Sequence, residues 1–144
     1  MSDVSRRSGW VVPLAGGLGA LIVDVLYLQA IAQQGVTPPG ARVPFVAGWI
    51  AAAGILSTAG TFIQRASIRA VALGFGAAML VALGAPAIFS FGIALLLCAG
   101  LVGTGALRAA EATHIPPWMG LLGPLVLLVI AGAGVAVGFA VTDF

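Results

Sequence analysis

Residues 70–107 read AVALGFGAAMLVALGAPAIFSFGIALLLCAGLVGTGAL, 38 residues without one charged side chain. As a single α-helix this run would be roughly 57 Å long, almost twice the roughly 30 Å hydrocarbon core of a bilayer. It must therefore fold back on itself. Gly84-Ala85-Pro86 is the best punctuation inside it, because Gly suits a helix C-cap and Pro the first turn of the next helix. The run predicts two apolar helices, about 67–84 and 86–107. The first of them is short, which sets the turn within the headgroup edge.

Working outward, the polar joint from Arg108 to Trp118 holds Glu111, His114 and Pro116-Pro117, and a last apolar helix follows at about 119–141. On the other side, Gln64-Arg65 closes a stretch at about 43–63. The segment Gln33-Gln34-Gly35-Val36-Thr37-Pro38-Pro39-Gly40 is turn chemistry that a helix interior tolerates poorly. Before it lies the first stretch, about 10–33, interrupted by Asp24. Each stretch is near the roughly 20 residues that a membrane crossing needs.

Composition points the same way. The 144 residues are 61% hydrophobic and 7% charged, against about 25% charged in soluble domains, and the mean hydropathy is +1.18. So few charges cannot coat a water-soluble globule, and disorder needs the opposite composition. A single Cys excludes an intrachain disulfide framework, and one Cys with one His cannot build a structural zinc site. The expectation is an all-α integral membrane protein, one transmembrane domain over 1–144 with five helices in a compact bundle. The lipid bilayer is its first partner.

The net charge of +2 comes from dispersed arginines, with no cluster of the size a nucleic-acid surface needs. They work better as topology signals. With the N-terminus cytoplasmic, the inner face carries Arg6, Arg7, Arg65, Arg69 and Arg108, against Arg42 alone outside, as the positive-inside rule asks. Trp10, Phe62 and Trp118 then fall near the inner interface, and Phe45, Phe89, Phe139 and Phe144 near the outer one. The C-terminus is outside. A rival reading takes Arg6-Arg7, the apolar run and Ala30-Ile31-Ala32 as a cleavable leader, but the run is long for one and carries an acid. Pro38-Pro39 and Pro116-Pro117 hint at an inverted repeat, though X-Pro-Pro is simply a good loop and little else matches.

Asp24 is the residue that a membrane reading must explain. An acid near a helix centre costs about 2.5–3.5 kcal/mol on insertion scales and is usually functional. Its face includes Gly16, Gly17, Ala20, Tyr27 and Ile31, and the small residues let another helix approach closely. Counted from the helix ends, it is level with Trp49 and Ile93, with Tyr27 and Ser90 about one turn further out. Without a counter-charge it is expected to keep its proton unless a cation or a water file reaches it. Asp24, Tyr27 and Ser90 form the candidate proton or cation site. The alternative is a polar lock, a protonated acid bonded to Ser90, the Trp49 indole or a backbone carbonyl.

Other features read as structural. Ser57, Thr58, Thr61 and Thr104 are expected to hydrogen-bond across helices. Gly134 and Gly138 make a GxxxG and are candidate helix-packing residues. Arg108, Glu111 and His114 read as a solvated helix end, and Cys98 as a small packing residue. Pro13, Pro44 and Pro124 are placed in the first turns of their helices. No nucleophile–base pair, redox ligand set or phosphate loop is present, so neither catalysis nor a cofactor is expected. The joint over residues 105–120, with Leu107-Arg108 closing one helix and Pro117-Trp118-Met119-Gly120 opening the next, resembles a connector common in small bacterial multi-helix membrane proteins. That resemblance implies a bacterial cytoplasmic-membrane setting and no activity. The functional expectation is a non-catalytic accessory or oligomer-forming subunit, with a homo-oligomer or a membrane-embedded subunit as partner. The alternative is a small proton- or cation-linked transporter or channel component using Asp24.

Overall fold

Each apolar stretch forms a helix in the computed structural model, which describes residues 3–35, 40–113 and 117–142, with the backbone alone for 3–8 and 117–122. Helix α1 spans Asp3–Gln33, α2 Arg42–Thr61, α3 Ala66–Gly84, α4 Ile93–Glu111 and α5 Pro117–Thr142, and a π-helical turn, Ile88–Gly92, leads into α4. No strand occurs among the described residues. Five segments of 19 to 25 residues, one in each of α1, α2, α3 and α5 and one formed by α4 with its π-helical turn, are long and apolar enough to cross a membrane. His114, Pro38-Pro39, Pro116 and Phe144, with the side chains of Arg6, Arg7 and Trp118, lie outside the described residues.

Helices α1 to α4 close a ring, α1 packing on α2 and α4, and α3 on the same two from the other side. Ala20, Ile50, Leu73, Leu80, Leu95 and Val102 fill its centre. Helix α5 stands outside the ring, against α3 with a smaller contact to α2, so Leu125, Val129 and Val137 stay exposed. Small residues set the spacing. A Cβ added at Gly16 would lie 2.8 Å from the Cys98 carbonyl oxygen on α4, and one at Gly17 would lie 2.6 Å from Thr58 Oγ1 on α2. With larger residues at these two positions α1 could not enter the groove between α2 and α4.

The 38-residue run breaks at 85–87, and not through the expected glycine cap. Gly84 stays helical as the last residue of α3, and Ala85 caps it in the right-handed region. Pro86 lies in the turn ahead of the next helix rather than in its first turn. The reason is local hydrogen bonding. The Ala87 carbonyl accepts from Ser90 N at 2.9 Å and from Gly92 N, five residues on, at 2.8 Å. This widened turn brings Gly92 against the Gly84 carbonyl.

Three further expectations need correction. Helices α1 and α4 run beyond their apolar stretches, to Asp3 and to Glu111, because backbone bonding continues through polar residues until the chain turns. With α1 starting at Asp3 and α5 at Pro117, Pro13 and Pro124 lie inside their helices, not in first turns, and each removes one donor from the helical ladder. Helix α2 stops at Thr61, where Phe62 N and Ile63 N donate to Ala59 O and Gly60 O, the tighter bonds that commonly finish a helix. Finally, the hydroxyls do not bridge helices. Ser57 donates to Ala53 O, Thr61 to Ser57 O and Thr104 to Leu101 O, all on their own helices, an outlet that any helix offers Ser and Thr.

Candidate functional site

The buried stripe of α1 runs Pro13, Gly16, Gly17, Ala20 and Asp24, one residue per turn with one neighbour, as a 3.6-residue period requires. Asp24 is thus carried to the bundle side by the same spacing that seats the glycines, and only 9% of it stays exposed. Gly17 meets Gly54 and Thr58 on α2, and Gly16 meets Cys98 and Val102 on α4. Continuing that antiparallel register puts Asp24 level with Trp49 and Ile50 on α2 and with the first turn of α4. Ile50 and Leu95, at that depth, are completely buried. The acid is framed by apolar side chains.

Its carboxyl has no partner for one oxygen: Oδ1 is buried and accepts no hydrogen bond. The two donors that could lock it are used elsewhere. Trp49 Nε1 donates to the Met79 carbonyl at 3.0 Å, tying α2 to α3. Ser90 is exposed, and its Oγ donates to the Ala87 carbonyl at 3.0 Å. The structure therefore does not bring Ser90 to Asp24. The π-helical turn explains this, because it presents the Ala87 carbonyl to Ser90 within its own segment.

Tyr27 follows Asp24 on the same face of α1 and is half-buried. Its ring lies 5.0 Å from that of Phe91, centroid to centroid, at a 53° tilt. Phe91 sits on the π-helical turn, so a tilted aromatic pair stands between Asp24 and the Gln33 end of α1. Nothing in the sequence singles Phe91 out, since only the fold-back of α4 sets it opposite Tyr27. A second orphan, Thr58 Oγ1, is buried without a partner on the α1–α2 seam beside Gly17, about two turns from Asp24 toward the other end.

Gly134 and Gly138 face α2. A Cβ at Gly134 would lie 2.7 Å from Trp49 Cη2, and one at Gly138 would overlap the Phe45 ring. Phe45 packs on Trp49 and edge-on to Phe139, with ring centroids 5.9 and 5.7 Å apart, and the Arg42 guanidinium carbon lies 5.8 Å from the Phe139 ring centroid. The GxxxG face is thus occupied by aromatic side chains of the same chain. Among the described residues no three His, Cys, Asp or Glu side chains come together, and Cys98 is a buried free thiol.

The indole bond carries a prediction. Trp49→Phe keeps the ring contact with Phe45 but leaves the Met79 carbonyl without that donor. The expected loss is about 0.6–1.5 kcal/mol, read as a lower unfolding midpoint in a detergent titration. An unmoved midpoint would mean that the bond adds nothing.

In comparisons with known proteins, no family model, no curated protein and no solved structure matches this chain.

Proposed function

We propose that this chain is a small multi-pass protein of the bacterial cytoplasmic membrane, N-terminus inside and C-terminus outside, in which Asp24 binds a proton or a cation. Five apolar helices and the crowding of Arg65, Arg69 and Arg108 at one end of the bundle support the membrane setting. The observation that carries the ion-binding part is the orphaned Oδ1 of Asp24. A buried polar atom without a partner is rare and calls for an explanation. Of the side chains that could donate to the acid, Trp49 and Ser90 both donate to backbone carbonyls instead. A proton or a small cation arriving from outside the chain supplies what the side chains do not. The role is non-catalytic, that of a transport or channel component.

A second reading keeps the chain as an accessory or oligomer-forming subunit with no ion chemistry. It is favoured by the close α1–α2 seam, where Gly17, Gly54, Leu21 and Thr58 meet without space for another side-chain atom. Flux separates the two. Wild-type protein in liposomes should pass protons or a monovalent cation down an imposed gradient, followed with an entrapped indicator. Asp24→Asn keeps the size of the side chain, so it should fold and lose that flux. Undiminished flux in folded Asp24→Asn would refute the ion-binding reading.

A further inference from the structure

Opposite Tyr27 and Phe91, at the other end of the bundle, α1 to α4 leave a shallow surface notch with no enclosed space, so a ligand would lie over it rather than inside it. Gly9, Trp10 and Pro13 line it from α1, Thr61 from α2, Arg69 and Leu73 from α3, and Gly105 from α4. Arg69 is half-buried there, whereas Arg65 and Arg108 are exposed. A topology signal needs only a cation in the headgroup layer. It does not need one drawn into a junction of four helices, and no lining residue is an acid. No hydrogen bond or ion pair of the Arg69 side chain occurs among the described residues.

The notch also holds an acceptor that lacks its usual donor. Pro13 lacks the N–H that would bond four residues back, so the Gly9 carbonyl is without its i+4 donor, and both residues line the notch. Trp10, 46% exposed at the mouth, is the kind of residue that anchors at a membrane–water interface. A guanidinium fork, a carbonyl short of its i+4 donor and an interfacial indole make a set that a phosphate group with a neighbouring hydroxyl would satisfy. Basic pockets between membrane helices hold anionic headgroups in this way.

We infer that the Arg69 notch is a binding site for the phosphate of an anionic phospholipid headgroup. Arg69 grips the phosphate oxygens, the Gly9 carbonyl accepts from a headgroup hydroxyl, and Trp10 covers the glycerol backbone. The inference rests on the membrane reading above and not on Asp24.

The test uses the full chain purified in detergent, titrated with phosphatidylglycerol or phosphatidylcholine and read by native mass spectrometry. Wild type should retain phosphatidylglycerol over phosphatidylcholine. Arg69→Ala should bind it about tenfold more weakly, and Arg69→Lys, which keeps the charge without the fork, should fall between. Arg65→Ala removes the same formal charge from an exposed position and should bind as wild type does. Equal binding by wild type and folded Arg69→Ala, or an equal loss in Arg65→Ala, would overturn the site. Displacement of the lipid by inorganic phosphate would assign the notch to free phosphate and overturn the lipid assignment, whereas lipid retained in its presence supports it. Alkaline extraction of membranes keeps the two levels apart. Release of the chain would sink the membrane reading itself, while a retained chain with no headgroup preference would sink only this proposal.

Discussion

Gly92→Val should deprive the chain of its α3–α4 hairpin, at a cost of about 3 kcal/mol or more, the upper end of what overpacking does. A side chain at position 92 would fall on the Gly84 carbonyl oxygen and on the Ala87 carbonyl group. Both are backbone, and neither can rotate aside as a side chain would. Ala87 is further pinned, since its oxygen accepts from Ser90 N, Gly92 N and Ser90 Oγ. Relief must come by unmaking the π-helical turn at Ala87 and moving α4 away from α3, which opens the seam where Gly84 meets Leu95 and Leu96. The measurement is recovery of monodisperse protein in mild detergent, with the unfolding midpoint of whatever is recovered. Gly100 on the same helix is the control, because a Cβ there meets nothing within 4 Å. Gly100→Ala should be neutral or gain up to about 1 kcal/mol of helix propensity. A Gly92→Val protein as well behaved as Gly100→Ala would show that the close approach is dispensable.

That contrast shows what could be read in advance. A charge-free run of 38 residues is too long for one crossing, so its fold-back, and with it the five-helix count, follows from length alone. The inward face of α1 was equally legible, because Gly16, Gly17, Ala20 and Asp24 repeat at the helical period. What distinguishes Gly92 from Gly100 is only what lies opposite, and 21 glycines in one chain give no local signal of that. The π-helical turn is hidden for the same reason, since its bond from Gly92 N to the Ala87 oxygen answers to the approach of α3. The site was half visible. Spacing puts Tyr27 with Asp24, but Trp49 and Ser90 looked like donors for the acid. Whether a donor is free is a property of the whole fold, and the Met79 and Ala87 carbonyls claim both.

The spent donors make Asp24→Leu the sharpest second test, and its expected sign is unusual for a buried substitution. Leucine has the same number of side-chain heavy atoms and the same branch at Cγ, so it fills the space of the acid without a cavity. It also removes the unpartnered Oδ1, whose burial without a hydrogen bond costs about 1–3 kcal/mol. Asp24→Leu should therefore unfold at higher denaturant by about that amount and carry no flux. A polar lock predicts the reverse, because truncating one member of a made hydrogen bond strands the other and lowers stability. Asp24→Asn alone cannot separate these cases, since an amide can both accept and donate where the acid did. Read together, a stabilised but silent Asp24→Leu and a folded but silent Asp24→Asn would mean that the chain keeps a destabilising acid for the ion it binds. A destabilised Asp24→Leu would return the residue to the architecture of the bundle.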